Sequence, residues 1–299
     1  MDFVEQEDEK ICSKIFDNDD FRYYSITIDR PLRLRCQFNA LKIDELLYDK
    51  GEQELSRWLY QTYGERVFTG LDSEIPAIKE YLNDEDIKMT DKKLAKLISV
   101  KEWQARRDLK DAAQRLMHEI GTEVFMDYNL FAENISKAAK HIGLSASAAQ
   151  LKTIARAMSE TDPEAKPVIK KLHKSGSKDI ELLQATYGIT DERLRDYGYC
   201  PDGKTYVEYE SDSDLRDTEK IPVKEDIYAY FQREVRPYVA DAWINLTAKK
   251  PSTMIGCEIS FNKYFYKPAP LRTLEENERD ILALDAESQG FIQSLFNDL

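Results

Sequence analysis

Residues 108–121 read DLKDAAQRLMHEIG. Leu109, Ala112, Ala113, Leu116, Met117 and Ile120 recur at three- and four-residue intervals, so they share one stripe of a helix that Gly121 is placed to end. SAAQLKTIARAMS (147–159) follows the same logic. Ser147 and Gln150 have capping-box spacing, and Leu151, Ile154, Ala155 and Met158 lie on one side. Such stripes read as core. Helical periodicity runs from about Ile43 to Asp196, and the expected fold is mainly α: a helical bundle with a few short strands or β-hairpins and a long C-terminal amphipathic helix.

Upstream, YYSITIDRPLRLRCQF (23–38) has a period of two. Tyr24, Ile26 and Ile28 alternate before Arg30-Pro31, and Leu32, Leu34, Cys36 and Phe38 after it. Pro31 cannot donate to a ladder, so the strand is broken at an edge or bend. Its helical surroundings offer few partners, and it is expected to need a sheet from a further domain. The expected divisions are a strand segment over 1–40, a helical domain with a basic middle over 41–196, and a C-terminal region over 197–299.

GYCPDGKT (198–205) matches the P-loop spacing G-x-x-x-x-G-K-T. A P-loop follows a buried strand and opens a helix whose amides hold the phosphates. Here charged TDERLRDYGY precedes the match and strand-like YVEYESD comes after it. Glu208, Glu210, Asp212 and Asp214 would repel phosphate, and Pro201 removes an amide. The stretch reads as a hairpin turn leading into the strand KTYVEYE. Farther on, IPVKEDIYAYFQREVRPYV (221–239) reads as a helix with Ile227, Tyr230, Phe231, Val235, Tyr238 and Val239 inward. TMIGCEISFNKYFYKPAP (253–270) reads as extended, with Ile255, Cys257, Ile259 and Phe261 alternating. Thr273 and Glu276 form a capping box for the last helix, whose Leu274, Ile281, Leu284, Phe291, Ile292 and Leu295 lie on a rough heptad stripe that Gly290 interrupts.

At 299 residues the chain can bury one large core or two ordinary ones. Its net charge of −13 argues against indiscriminate binding to nucleic acid. The charge is uneven: between Ile87 and Lys178 there are 18 Lys or Arg against 11 Asp or Glu. This basic middle is either one face of a nucleic-acid site or a solvated helical surface. No stretch approaches the roughly 20 apolar residues of a membrane span. Cys12, Cys36, Cys200 and Cys257 are far apart, have no zinc-ligand spacing, and read as reduced, buried thiols of a cytoplasmic protein. No two glycines are separated by one residue, which excludes a Rossmann fingerprint, and neither G-x-S-x-G nor H-E-x-x-H occurs. His118, His141 and His173 read as surface or core residues. Asp212, Asp214 and Asp217 read as an acidic linker, and no metal site is expected.

Four long stretches resemble one family. SKIFDNDDFRYYSITIDRPLRL (13–34), LKTIARAMSETDPEAKPVIKK (151–171), LRDTEKIPVKEDIYAYFQREVRPYVADAWI (215–244) and IGCEISFNKYFYKPAPLRTLEE (255–276) are similar, in this order, to the region downstream of the methyltransferase domain in the M subunit of type I restriction-modification systems. The resemblance implies a parent subunit that binds S-adenosylmethionine and methylates adenine through an Asn-Pro-Pro-aromatic motif. None of the ten prolines here are adjacent, so no catalytic or cofactor-binding residue carries over, and the chain is expected to be inactive alone. The implied partners are the specificity (S) subunit, the restriction (R) subunit and duplex DNA, with no membrane. Lys92, Lys93, Lys96, Arg106, Arg107 and Lys110 become candidate phosphate contacts. Leu274, Ile281, Leu284, Ile292 and Leu295 become a candidate partner interface, against the alternative that this helix folds back on its own domain. Two other functional readings stand beside this one: a stand-alone helical adaptor that binds only protein, and a P-loop nucleotide-binding protein.

Overall fold

The computed structural model describes residues 6–7, 12–13, 15–246, 255–259, 262 and 272–297, with side chains at 6–7, 12–13, 287 and 289–297 outside that description. The strands are β1 (Gln6–Glu7), β2 (Cys12–Ser13), β3 (Arg22–Asp29), β4 (Leu34–Cys36), β5 (Ser159–Thr161), β6 (Ile169–Lys174), β7 (Tyr199–Asp202), β8 (Thr205–Tyr209), β9 (Asp217–Pro222), β10 (Trp243–Ile244) and β11 (Ile255–Cys257). The α-helices are α1 (Ala40–Glu45), α2 (Gln53–Tyr63), α3 (Ile75–Asp84), α4 (Asp91–Leu97), α5 (Val100–Ile120), α6 (Tyr128–His141), α7 (Ala148–Ala157), α8 (Lys178–Tyr187), α9 (Ile227–Tyr230) and α10 (Leu274–Asn297).

Two compact units emerge. The larger comprises Tyr24–Ile221 and Glu225–Met254; the smaller comprises Met1–Tyr23, Pro222–Lys224 and Ile255–Leu299. These boundaries differ from divisions at 40 and 196, because each unit is assembled from segments that are not contiguous along the chain.

The expectation of a mainly α helical bundle is corrected. The fold is mixed α and β: of the described residues, 52% are helical and 18% are in strands or bridges. The strands form small sheets of two to four members. The reason lies in strands such as β5 and β6, which sit in sequence that reads as helical. They are short, and β6 buries only His173, so neither displays an alternating apolar pattern. Their pairing partners are far away: β4 pairs antiparallel with β5, and β6 with β8.

The period-two stretch at 23–38 forms β3 and β4, and its break at Pro31 carries the chain from one core to another. Ile26 and Ile28 pack with Ile221, Phe231, Val235 and Ile244. Leu34, Cys36 and Phe38 instead meet Leu116 of α5, Phe131 and Ile135 of α6, and Ile154 of α7. The stripes of α5 and α7 enter this core as their spacing requires. A second helical core gathers Leu59, Ile78, Leu94 and Leu97 around the fully buried Trp103. β3 has partners within the chain: β10 pairs antiparallel with it, Ile244 opposite Ile28, and β9 also pairs with it. The expectation that its surroundings offer few partners is corrected by these pairings.

Asp29, at the end of β3, is completely buried. It accepts hydrogen bonds from Arg216 Nε at 2.7 Å, Ser211 Oγ at 2.8 Å and Asn245 Nδ2 at 2.5 Å. A buried carboxylate is tolerated only when it is paired and hydrogen-bonded in this way.

The segment expected to be one helix over 221–239 departs in detail. Its first residues end β9, and α9 passes into a π-turn at Phe231–Val235, where Arg236 N bonds Phe231 O at 2.9 Å. One extra residue in a turn rotates the downstream side chains by about 100°. Phe231 and Val235 stay buried, whereas Tyr238, expected to face inward, is 81% exposed.

Candidate docking helix and basic residues

Helix α10 is started by local chemistry. Thr273 N donates to Glu276 Oε2 at 3.0 Å and Glu276 N donates to Thr273 Oγ1 at 3.2 Å, the reciprocal capping box that the sequence calls for. Glu275 and Glu276 in the first turn suit the positive end of the helix dipole. Leu274, Ile281 and Leu284 fall at heptad positions a, a and d, and stand 82%, 65% and 65% exposed. Leu282, on another face, is also exposed. The side chains of Ile292 and Leu295 lie outside the described residues. Fold-back on the helix's own domain is therefore not what Leu274, Ile281 and Leu284 display.

The six basic candidates are carried by α4 and α5. Lys92, Lys93 and Lys96 lie on α4, whose first turn is capped by Thr90. Arg106, Arg107 and Lys110 lie on α5. They do not form one uniform cationic face. Arg106 and Lys110, four residues apart on a helix, point to acids before α2 and on α1: Arg106 Nη2 reaches Asp49 at 3.1 Å and Lys110 Nζ reaches Asp44 at 2.8 Å. Arg106 is only 11% exposed and its guanidinium lies 5.2 Å from the centre of the Trp103 ring. Burial pushes the Arg106 pKa down, with Asp49 and Glu102 opposing. The hydrogen bond to Asp44 pushes Lys110 up despite partial burial. Lys93 pairs with Glu52. Arg107 is exposed but rests over the Phe68 ring at 4.4 Å. Lys92 and Lys96 are exposed and have no acidic partner among the described residues.

GYCPDGKT is a hairpin. β7 and β8 pair antiparallel with Asp202 opposite Thr205, leaving the two-residue loop Gly203-Lys204. Gly203 has φ +59°, the positive value that a type II′ turn needs at its first central position. No helix comes after it, and Lys204 is exposed at the tip. The P-loop reading has no structural context here.

The histidines divide as surface and core. His141 is exposed and bonds Glu119 at 2.7 Å; His173 is buried against Glu208 at 2.8 Å. Asp212, read as part of an exposed linker, is 4% exposed, and its Oδ1 accepts the Asp214 amide. No His, Cys, Asp and Glu grouping among the described residues suits a metal ion. Cys36 is buried and Cys200 half-buried, both with thiol pKa values raised by that burial; Cys257 is exposed, contrary to expectation, and the side chain of Cys12 lies outside the described residues. No helix among the described residues is long and apolar enough to cross a membrane. No protein-family model, curated protein or solved structure matches the chain.

Proposed function

We propose that the chain is the C-terminal region of the M subunit of a type I adenine methyltransferase, where it joins the specificity subunit and helps close the complex on duplex DNA. The length and order of the four resembling stretches support this reading. The observation that carries it is the exposed seam of Leu274, Ile281 and Leu284 on a capped helix of 24 residues. Apolar side chains held in water gain about 25 cal/mol for each Å² that a partner covers. A heptad seam is the form that packs against partner helices. In this reading S-adenosylmethionine and methyl transfer belong to the parent subunit, and no residue of this chain takes part in the chemical step. A restriction subunit would join the same assembly.

The test is size-exclusion chromatography with light scattering of the chain and its cognate S subunit, with and without duplex DNA. The expected result is a stable complex that Ile281→Asp combined with Leu284→Asp abolishes while the chain's own melting curve is unchanged. Separate elution of the wild-type chain and S subunit overturns the reading. A protein-only adaptor is the second reading, favoured by the internal pairing of Lys93, Arg106 and Lys110. It predicts a complex whose affinity for DNA does not exceed that of the S subunit alone.

A further inference from the structure

Within the larger unit, a cleft of about 320 Å³ opens beside the β7–β8 hairpin and the turn before β10. Pro201 and Trp243 give it apolar walls, Tyr209 adds a second ring, and three arginines are among its lining residues: Arg33, Arg195 and Arg236. Asp241 is its one acidic lining residue. In a chain of net charge −13, such a concentration of arginine needs an account.

Two of the arginines are held in place. Arg33 donates Nη1 to the Ala165 carbonyl at 2.8 Å and Nη2 to Asp241 at 3.2 Å. Arg236 pairs through Nη1 with the buried Asp196 at 2.8 Å. Each guanidinium has five N–H groups, so each keeps donors that these contacts do not use. Arg195 differs: it is exposed, and its side chain makes no ion pair or hydrogen bond among the described residues. Its charge nevertheless reaches the cleft walls. Burial raises the pKa of the Cys200 thiol and the Tyr209 hydroxyl; Arg195 and Arg236 oppose this at Cys200, and Arg33 and Arg195 oppose it at Tyr209. Trp243 is almost fully buried.

We propose that this cleft binds a phosphomonoester carrying a flat ring, in the size class of a nucleoside monophosphate. The phosphate takes the free fork of Arg195 and the unspent donors of Arg33 and Arg236, and the ring lies against Tyr209 and Trp243. A phosphate rather than a carboxylate fits because several forks offer more donors than two oxygens accept. The volume and mixed lining are those of a small-molecule site. Lys204 takes no part, and the site is unrelated to the P-loop spacing although Cys200 and Pro201 belong to both. This inference does not rest on the assembly reading.

The experiment is isothermal titration of the whole chain with adenosine monophosphate and cytidine monophosphate, with inorganic phosphate and adenosine as separate probes. At least one nucleotide is expected to bind about tenfold or more tightly than either phosphate or adenosine. Arg195→Ala should weaken that binding by about tenfold or more. It should leave the melting curve unchanged, since the side chain has no partner to lose, and Lys178→Ala, at an exposed lysine that does not line the cleft, should leave nucleotide binding unaltered. Failure of both nucleotides to bind overturns the proposal. So does nucleotide binding that survives Arg195→Ala, or that falls equally with Lys178→Ala.

Discussion

Gly198 shows how much one atom decides. It ends the short 3-10 turn before β7 with φ +89°, and a Cβ there would lie 2.9 Å from Cδ1 and Nε1 of Trp243. Gly198→Ala therefore adds left-handed backbone strain to a steric conflict, and should cost about 2 kcal/mol or more in urea unfolding. A loss under about 0.5 kcal/mol would mean that Trp243 yields easily. The buried Asp29 makes a second case. Asp29→Ala removes the acceptor of Arg216, Ser211 and Asn245 together, and a loss of about 3 kcal/mol is expected in the same measurement. Neither residue announces its role in sequence. Gly198 looks like a P-loop glycine, and Asp29 looks like a polar residue closing an edge strand.

Glu160 ties three elements together. On β5 it faces Arg35 of β4 at 2.8 Å and also reaches Lys42 of α1 at 2.8 Å. The Lys42 ammonium first, then the Arg35 guanidinium, lower its pKa from 4.5 to about 2. Because the folded value lies below the unfolded one, this contribution is fully present above about pH 4.5 and is lost as the pH falls toward 2. An NMR titration of the Glu160 carboxyl should show a midpoint near the low value, and Lys42→Ala should raise it; an ordinary midpoint in the wild-type chain would remove the clasp from the account. Helix α7 depends on its box: Ser147 Oγ accepts the Gln150 amide, and Ser147→Ala should cost about 1 kcal/mol of stability. Caps and stripes were legible because they involve residues three or four apart. β5 and β6 were not, since each takes its partner from a strand far away in sequence and exposes most of its side chains.

At the scale of the molecule the basic residues sort by what they touch. Lys92, Lys96 and Arg107 are exposed, so under the DNA-closing reading they are the phosphate contacts. Replacing each by Ala in the assembled complex should reduce the salt slope of DNA binding by about one per residue. Arg106→Ala and Lys110→Ala should instead lower the stability of the helical core, because they release Asp49 and Asp44 and uncover the Trp103 ring. An unchanged salt slope in the first group would assign the basic middle to solvent. The charge surplus between Ile87 and Lys178 was visible in composition, but its division into clasps and free cations needed the positions of Glu52, Asp49 and Asp44, which lie 41 to 66 residues from their partners.

Sequence by itself determined the local features: the stripes of α5 and α7, the caps at Ser147 and Thr273, the hairpin in place of a P-loop, and the alternation across Pro31. Each depends on interactions within a few residues, which composition and spacing encode directly. Tertiary structure alone decided that the fold mixes small sheets with helices, that β3 finds β9 and β10, and that Arg33, Arg195 and Arg236 surround one cleft. These features arise where segments up to about two hundred residues apart meet, and closing such loops leaves no periodic mark on the chain.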